Sequence, residues 1–127
     1  MAFAPTDNRV LYVLYDVGDA AAYTRIWRYT INPGPPEVWT AENITDNFPP
    51  QRRPIVIAGD GYNSSIAYIG TDKGVWRGVD TGGTWNWQPY NKGLPLVEVK
   101  DLLVDASSKE LRAATFGRGV WATITGP

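Results

Sequence analysis

The tripeptides Ile26-Trp27-Arg28, Val75-Trp76-Arg77 and Val120-Trp121-Ala122 recur at spacings of 49 and 45 residues, 27 to 76 and 76 to 121. In a chain of 127 residues this recurrence leaves few layouts, because it implies three copies of one supersecondary unit. The second and third copies also align upstream. Ile69-Gly70-Thr71-Asp72-Lys73-Gly74-Val75-Trp76 matches Ala113-Ala114-Thr115-Phe116-Gly117-Arg118-Gly119-Val120-Trp121 with one more residue in the turn. Each copy reads as two strands joined by a glycine hairpin.

The rest of the chain is punctuated the same way. With 13 Gly and 10 Pro, the apolar runs between breakers are short and rich in Val, Ile, Tyr and Trp. Strands are expected at 10–15, 25–30, 37–41, 54–58, 66–70, 74–78, 84–89, 97–104, 111–115 and 119–124, with residues 2–4 ending another. The main helical competitor is 101–114, where Leu, Val and Ala fall partly at helical spacing and Ser107-Ser108-Lys109-Glu110 offers a helix start. Against it, Asp105-Ala106-Ser107-Ser108 reads as a turn between two strands. Ala20-Ala21-Ala22 is too short to hold a helix. A period near 45 residues with several short strands per unit predicts an all-β chain of propeller blades, each a small antiparallel sheet that needs a neighbour to cover its faces.

Composition removes many functions. There is no Cys and no His, which excludes disulfide frameworks, zinc fingers, thiol nucleophiles and Ser-His-Asp relays. The 12 basic and 13 acidic residues leave a net charge of −1, without the field needed to hold nucleic acid or an anionic membrane. With 43% hydrophobic residues the chain is too apolar for disorder, and no window nears the ~20 apolar residues of a membrane span. Met1-Ala2-Phe3-Ala4-Pro5 lacks the basic and apolar regions of a signal peptide. Calcium-loop spacing is absent, and Asp60-Gly61-Tyr62-Asn63 reads as a turn, so neither metal nor cofactor is expected. The glycosylation patterns at Asn43 and Asn63 are short enough to arise by chance.

Gly78-Val79-Asp80-Thr81-Gly82-Gly83-Thr84-Trp85 resembles the Asp-box, S/T-x-D-x-G-x-T-W, of BNR-repeat β-propellers, departing only at Gly78. Residues 111–122 resemble the closing blade of secreted propellers of that group, and the likeness extends over 54–122. Residues 4–13 are similar to the opening of a blade, but Thr30-Ile31-Asn32-Pro33-Gly34-Pro35-Pro36-Glu37-Val38-Trp39 stands where the first unit's box belongs. The resemblance implies blades at about 1–48, 54–92 and 96–125, the last incomplete, and a secreted setting. It implies no single activity, since sialidases, xyloglucan hydrolases, sorting receptors and photosystem assembly factors share such blades.

In an Asp-box the carboxylate of Asp80 accepts backbone N–H groups of the turn, Gly82 and Gly83 take positive φ, and Trp85 follows Thr84 to cap the turn. Trp27, Trp76 and Trp121 recur with the structural period, which assigns them to packing between blades. Trp85 and Trp87 fall on one strand face with Tyr90 beyond, an aromatic row suited to stacking on pyranose rings or to filling a core. For hydrolysis, which needs two carboxylates flanking a cleft, Asp72 is the sharpest candidate, because Gly70-Thr71-Asp72-Lys73-Gly74 is similar to a Thr-Asp-x-Gly segment of xyloglucan-hydrolysing enzymes. Its plainer reading is a solvated hairpin turn. The remaining carboxylates are Asp60, Asp80, Glu98, Asp101 and Asp105, with no second acid placed by spacing.

About two and three-quarter four-stranded sheets do not close a ring. The chain is therefore expected to complete one, either with copies of itself or with the rest of a larger propeller, and to present loops to a protein or glycan without catalysis. A glycoside hydrolase fragment and a lectin are the alternatives.

Overall fold

The computed structural model describes residues 2–4, 7–14, 26–33, 35–60, 65–90, 93–94, 97–105, 109–117 and 119–124; of the side chains at 2–4, 7–9 and 124 nothing is said. Among these residues the structure is all-β. The strands are β1 (Ala2–Ala4), β2 (Asp7–Leu14), β3 (Ile26–Asn32), β4 (Val38–Asn43), β5 (Pro54–Gly59), β6 (Ile66–Thr71), β7 (Gly74–Asp80), β8 (Trp85–Pro89), β9 (Val99–Asp105), β10 (Glu110–Thr115) and β11 (Val120–Ile124). Ala20–Ala22, the turn at 106–108, the Asn63 acceptor and Arg118 lie outside the described residues.

The strands form three open antiparallel sheets in chain order: a first sheet β1-β2-β3-β4, a middle sheet β5-β6-β7-β8 and a last sheet β9-β10-β11. The helical alternative over 101–114 is absent. Leu102, Leu111 and Ala113 alternate with exposed Leu103, Arg112 and Ala114, a period of two that buries one face of a sheet and leaves a helix without a stripe.

The sheets stack face to face with the middle one between the others. All six residues of β6 are buried, as in a strand covered on both faces. Ala67 and Ile69 turn one way, joining Ile57, Trp85 and Trp87 against Val10, Tyr12 and Ile26 of the first sheet and Ile44 and Phe48 of the connection. Ile66 and Tyr68 turn the other way, with Val75, against Leu94 and against Val99, Leu102, Leu111 and Ala113 of the last sheet. The strands that open each sheet meet: β5 packs on β1 and β2 at one side and on β9 at the other.

The deepest tryptophans are not the recurring ones. Trp85 and Trp87 are 1% and 2% exposed. This corrects the reading of these two as a sugar-stacking platform: the widest apolar side chains sit where the first and middle sheets meet, and no ring face is open. Trp76 and Trp121 are half-buried at the borders of the two clusters, Trp76 edge-on to Phe48 at 5.9 Å. Trp27 is half-buried on the opposite face of β3 from Arg28, which looks toward the middle sheet. The outward faces of the stack keep apolar groups in solvent, Trp39 on the first sheet and Leu103 and Val120 on the last; Val38, on the other face of β4, and Phe116, just beyond β10, are exposed as well.

Candidate functional site

The turn between β7 and β8 is held by its own side chains. Asp80 Oδ1 accepts the Gly83 N–H at 2.8 Å, and Thr81 donates its N–H and its hydroxyl to the Thr84 carbonyl at 2.8 and 3.0 Å. Gly82 and Gly83 have φ of 80° and 100°, the left-handed conformation that a side chain disfavours. Gly78 answers to a different constraint. A Cβ there would lie 2.6 Å from Trp87 ring atoms, so the indole rests on the bare glycine. A Ser or Thr side chain at this position would meet the same indole.

The outer edge of β8 is closed by the connection from the first sheet. Asp46 Oδ2 accepts the Trp85 N–H and Asn47 Oδ1 the Trp87 N–H, both at 2.6 Å, while Asn47 Nδ2 donates to the Trp87 carbonyl at 3.1 Å. Trp87 Nε1 donates to the Ile44 carbonyl at 2.8 Å. An edge strand is thereby supplied with partners from side chains rather than from another strand.

Under the turn, one row of side chains crosses the first sheet. Tyr12, Arg28 and Glu42 are successive register partners on β2, β3 and β4. Arg28 Nη2 lies 2.7 Å from Glu42 Oε1 and 3.4 Å from Asp80 Oδ2 of the middle sheet, and the guanidinium stands 5.4 Å from the Trp85 ring centre. Burial works against the Arg28 charge, yet Glu42, Tyr12 and Asp80 together hold it above its ordinary pKa. Burial pushes the Tyr12 phenol up to about 12, with Arg28 opposing.

The middle sheet repeats the row. Tyr68, Arg77 and Gln88 are register partners on β6, β7 and β8, facing the last sheet. The acid of the first row is here an amide. Arg77 leans on its own sheet's Tyr90 at 5.6 Å from the ring centre, Tyr90 in turn lies 5.5 Å from Tyr68, and Arg77 Nε is buried with no hydrogen-bond acceptor. A buried cationic donor without an acceptor is costly. Beside it Arg77, Val79, Asn86, Gln88, Pro89 and Tyr90 line an open hollow of about 80 Å³. Small-molecule sites run to several hundred Å³; this one has the size of a side chain.

Asp72 stands apart from both rows. Its carboxylate accepts the Arg53 N–H at 2.9 Å and lies 3.9 Å from Arg52, tying the second hairpin to the Arg52-Arg53 link. Glu98 is close enough to act on it electrostatically, but a hydrogen bond from Lys100, 2.7 Å away, and the Lys100 charge hold Glu98 below the usual carboxylate range, the reverse of what a general acid requires. Asp60 is buried and accepts the Tyr68 hydroxyl at 3.0 Å, while Asp101 and Asp105 sit on β9. The arginines of the rows were missed in the sequence, although the signal was present: Arg28 and Arg77 close the same recurring tripeptide as the tryptophans. No family model matches the chain, and searches of curated proteins and of solved structures find no match.

Proposed function

We propose that the chain is a non-enzymatic binding and assembly module made of Asp-box β-propeller blades, which joins further copies of itself or the remainder of a larger propeller and presents its loops to a protein or glycan. The observation that carries this reading is the stack of three meander sheets whose first strands adjoin and whose two outward faces carry solvent-exposed Trp39, Leu103 and Val120. Each inner interface buries a full apolar cluster, so a sheet of this kind is stable when covered, and the two end sheets are covered once only. The turn built on Asp80, Gly82 and Gly83 supports the blade assignment locally. Light scattering at micromolar concentration tests the proposal. A particle of two or more chains is expected; a folded particle that stays at 14.0 kDa overturns it.

A further inference from the structure

Arg28 and Arg77 hold the same place in successive sheets and differ in the groups that face them. Arg28 has Glu42 at 2.7 Å from within its own sheet and Asp80 at 3.4 Å from the next. At the register position of Glu42 the middle sheet has Gln88, and among the described residues no carboxylate forms an ion pair with Arg77. The hollow of about 80 Å³ beside it is lined by Arg77 and Val79 of β7, by Asn86, Gln88 and Pro89 of β8, and by Tyr90. Arg77 is the charged residue of that lining, and its Nε is buried without an acceptor. Asn86 Oδ1 is occupied by Asn47 Nδ2 at 3.0 Å, which leaves Asn86 Nδ2 to donate elsewhere, and exposed Gln88 adds a second amide. The hollow thus has one positive charge and several donors, and is short of acceptors.

We infer that this hollow binds the carboxylate of a small organic acid, held by the Arg77 guanidinium with the Asn86 and Gln88 amides donating beside it. A planar carboxylate matches the guanidinium fork and supplies the acceptor that Arg77 lacks. Its single charge is balanced by a single arginine, whereas a phosphate carries close to two and calls for further cations. Size points the same way: about 80 Å³ holds two or three waters at roughly 30 Å³ each, or a carboxylate with its first carbons, and no more of a ligand than that. Val79, Pro89 and Tyr90 give those carbons an apolar wall. The Tyr90 ring, 5.6 Å from the guanidinium, backs the arginine before any ligand arrives, which lowers the cost of ordering it. All of the lining is in one sheet and the residue after it, so the seat does not depend on further assembly.

Acetate is titrated into the full isotope-labelled chain at constant ionic strength set with chloride, and the Arg77 Nε–H and the Asn86 and Gln88 side-chain amides are followed by NMR. Saturable shifts at all three are expected, with Kd in the millimolar range, while the Arg28 Nε–H stays still because its acids are already in place. Propionate should bind roughly two- to threefold more tightly through its added methylene, and neutral acetamide should not bind. Gln88→Glu, an exposed position that the fold tolerates, fills the seat with the chain's own acid and should abolish acetate binding. Arg77→Lys keeps the charge, loses the fork and should weaken binding by roughly tenfold, read on the amides. No saturation by roughly 0.1 M acetate overturns the inference, as does an equal response to acetamide, or binding that survives Gln88→Glu. Equal shifts at Arg28 and Arg77 mark a general salt effect and overturn it too. Phosphate binding more tightly than acetate overturns the carboxylate assignment, and binding of N-acetylglycine without binding of acetate puts a chain end in the seat and overturns the free acid as its occupant.

Discussion

Replacing Gly78 by Ser completes the Asp-box pattern that the β7–β8 segment resembles, and pattern matching alone expects this, or the smaller Ala, to be harmless. The structure expects a loss. The new Cβ would stand 2.6 Å from two Trp87 ring atoms and 2.7 Å from a third. The indole has nowhere to go: it stacks on Trp85 at 5.6 Å, meets Phe48 edge-on at 5.8 Å and is pinned through Nε1 to the Ile44 carbonyl at 2.8 Å. Overpacking of a well-filled core costs about 1–3 kcal/mol, and a ring held on three sides puts the cost near the top of that range. A gain of about 0.5–1 kcal/mol from removing a glycine inside a strand offsets part of it. The net loss is about 2 kcal/mol, which for a chain of this length lowers Tm by roughly 6–10 °C. Thermal melts followed by near-ultraviolet circular dichroism measure both the stability and the tryptophan pair. The decisive comparison is a cycle with Trp87→Ala: in that background Gly78→Ala should be neutral or stabilising, since the clash is gone. A Gly78→Ala protein that melts at or above the parent temperature refutes the argument.

Asp80→Ala removes both the acceptor for the Gly83 N–H and the carboxylate beside Arg28. It should cost about 1–2 kcal/mol in a denaturant titration, the exposure of the turn keeping the loss below that of a buried pair. Tyr12 gives a pH signature. The folded phenol keeps its proton to about pH 12, whereas an unfolded one releases it near 10. The unfolded chain therefore binds fewer protons between those values. Stability contributed by this group is complete below pH 10 and falls by about 2–3 kcal/mol as pH rises through 12. Tyr12→Phe should flatten that part of the stability curve, and an unchanged alkaline slope would count against the buried phenol.

What could be read in the sequence was local or periodic. Glycine and proline mark turns wherever they occur, so the strands fall close to their expected places, and the alternation of Leu102, Leu111 and Ala113 with exposed neighbours separates strand from helix at 101–114. Burial depth was not legible. A tryptophan that recurs with the repeat occupies a fixed face of its sheet, but how far it is covered depends on the next sheet, and among the described residues no sheet covers the face of β3 that carries Trp27. Trp85 and Trp87 are deep because Val10, Tyr12 and Ile26 of the first sheet and Ile44 and Phe48 of the connection, all far earlier in sequence, close over them. The same separation hid Asp46 and Asn47, which bond the edge of β8 from a connecting loop that carries no motif.

The two rows also show why a repeat is more informative where it fails than where it holds. Tyr12 with Arg28 and Tyr68 with Arg77 place the phenol and the guanidinium in register in both sheets. At the third position the first row has the acid Glu42 and the second the amide Gln88, and the difference matters to the arginine. Arg28 is neutralised by Glu42 within its own sheet and again by Asp80 from the next one. Among the described residues Arg77 has neither, and leans on the Tyr90 ring at 5.6 Å. An aromatic face offsets part of the cost of burying a guanidinium but gives Nε no acceptor. Arg77 is half-buried, and a guanidinium without an acid in its own sheet is tolerable where water reaches it. The hollow lies on that side, lined by Arg77, Gln88 and Tyr90 among others of the middle sheet.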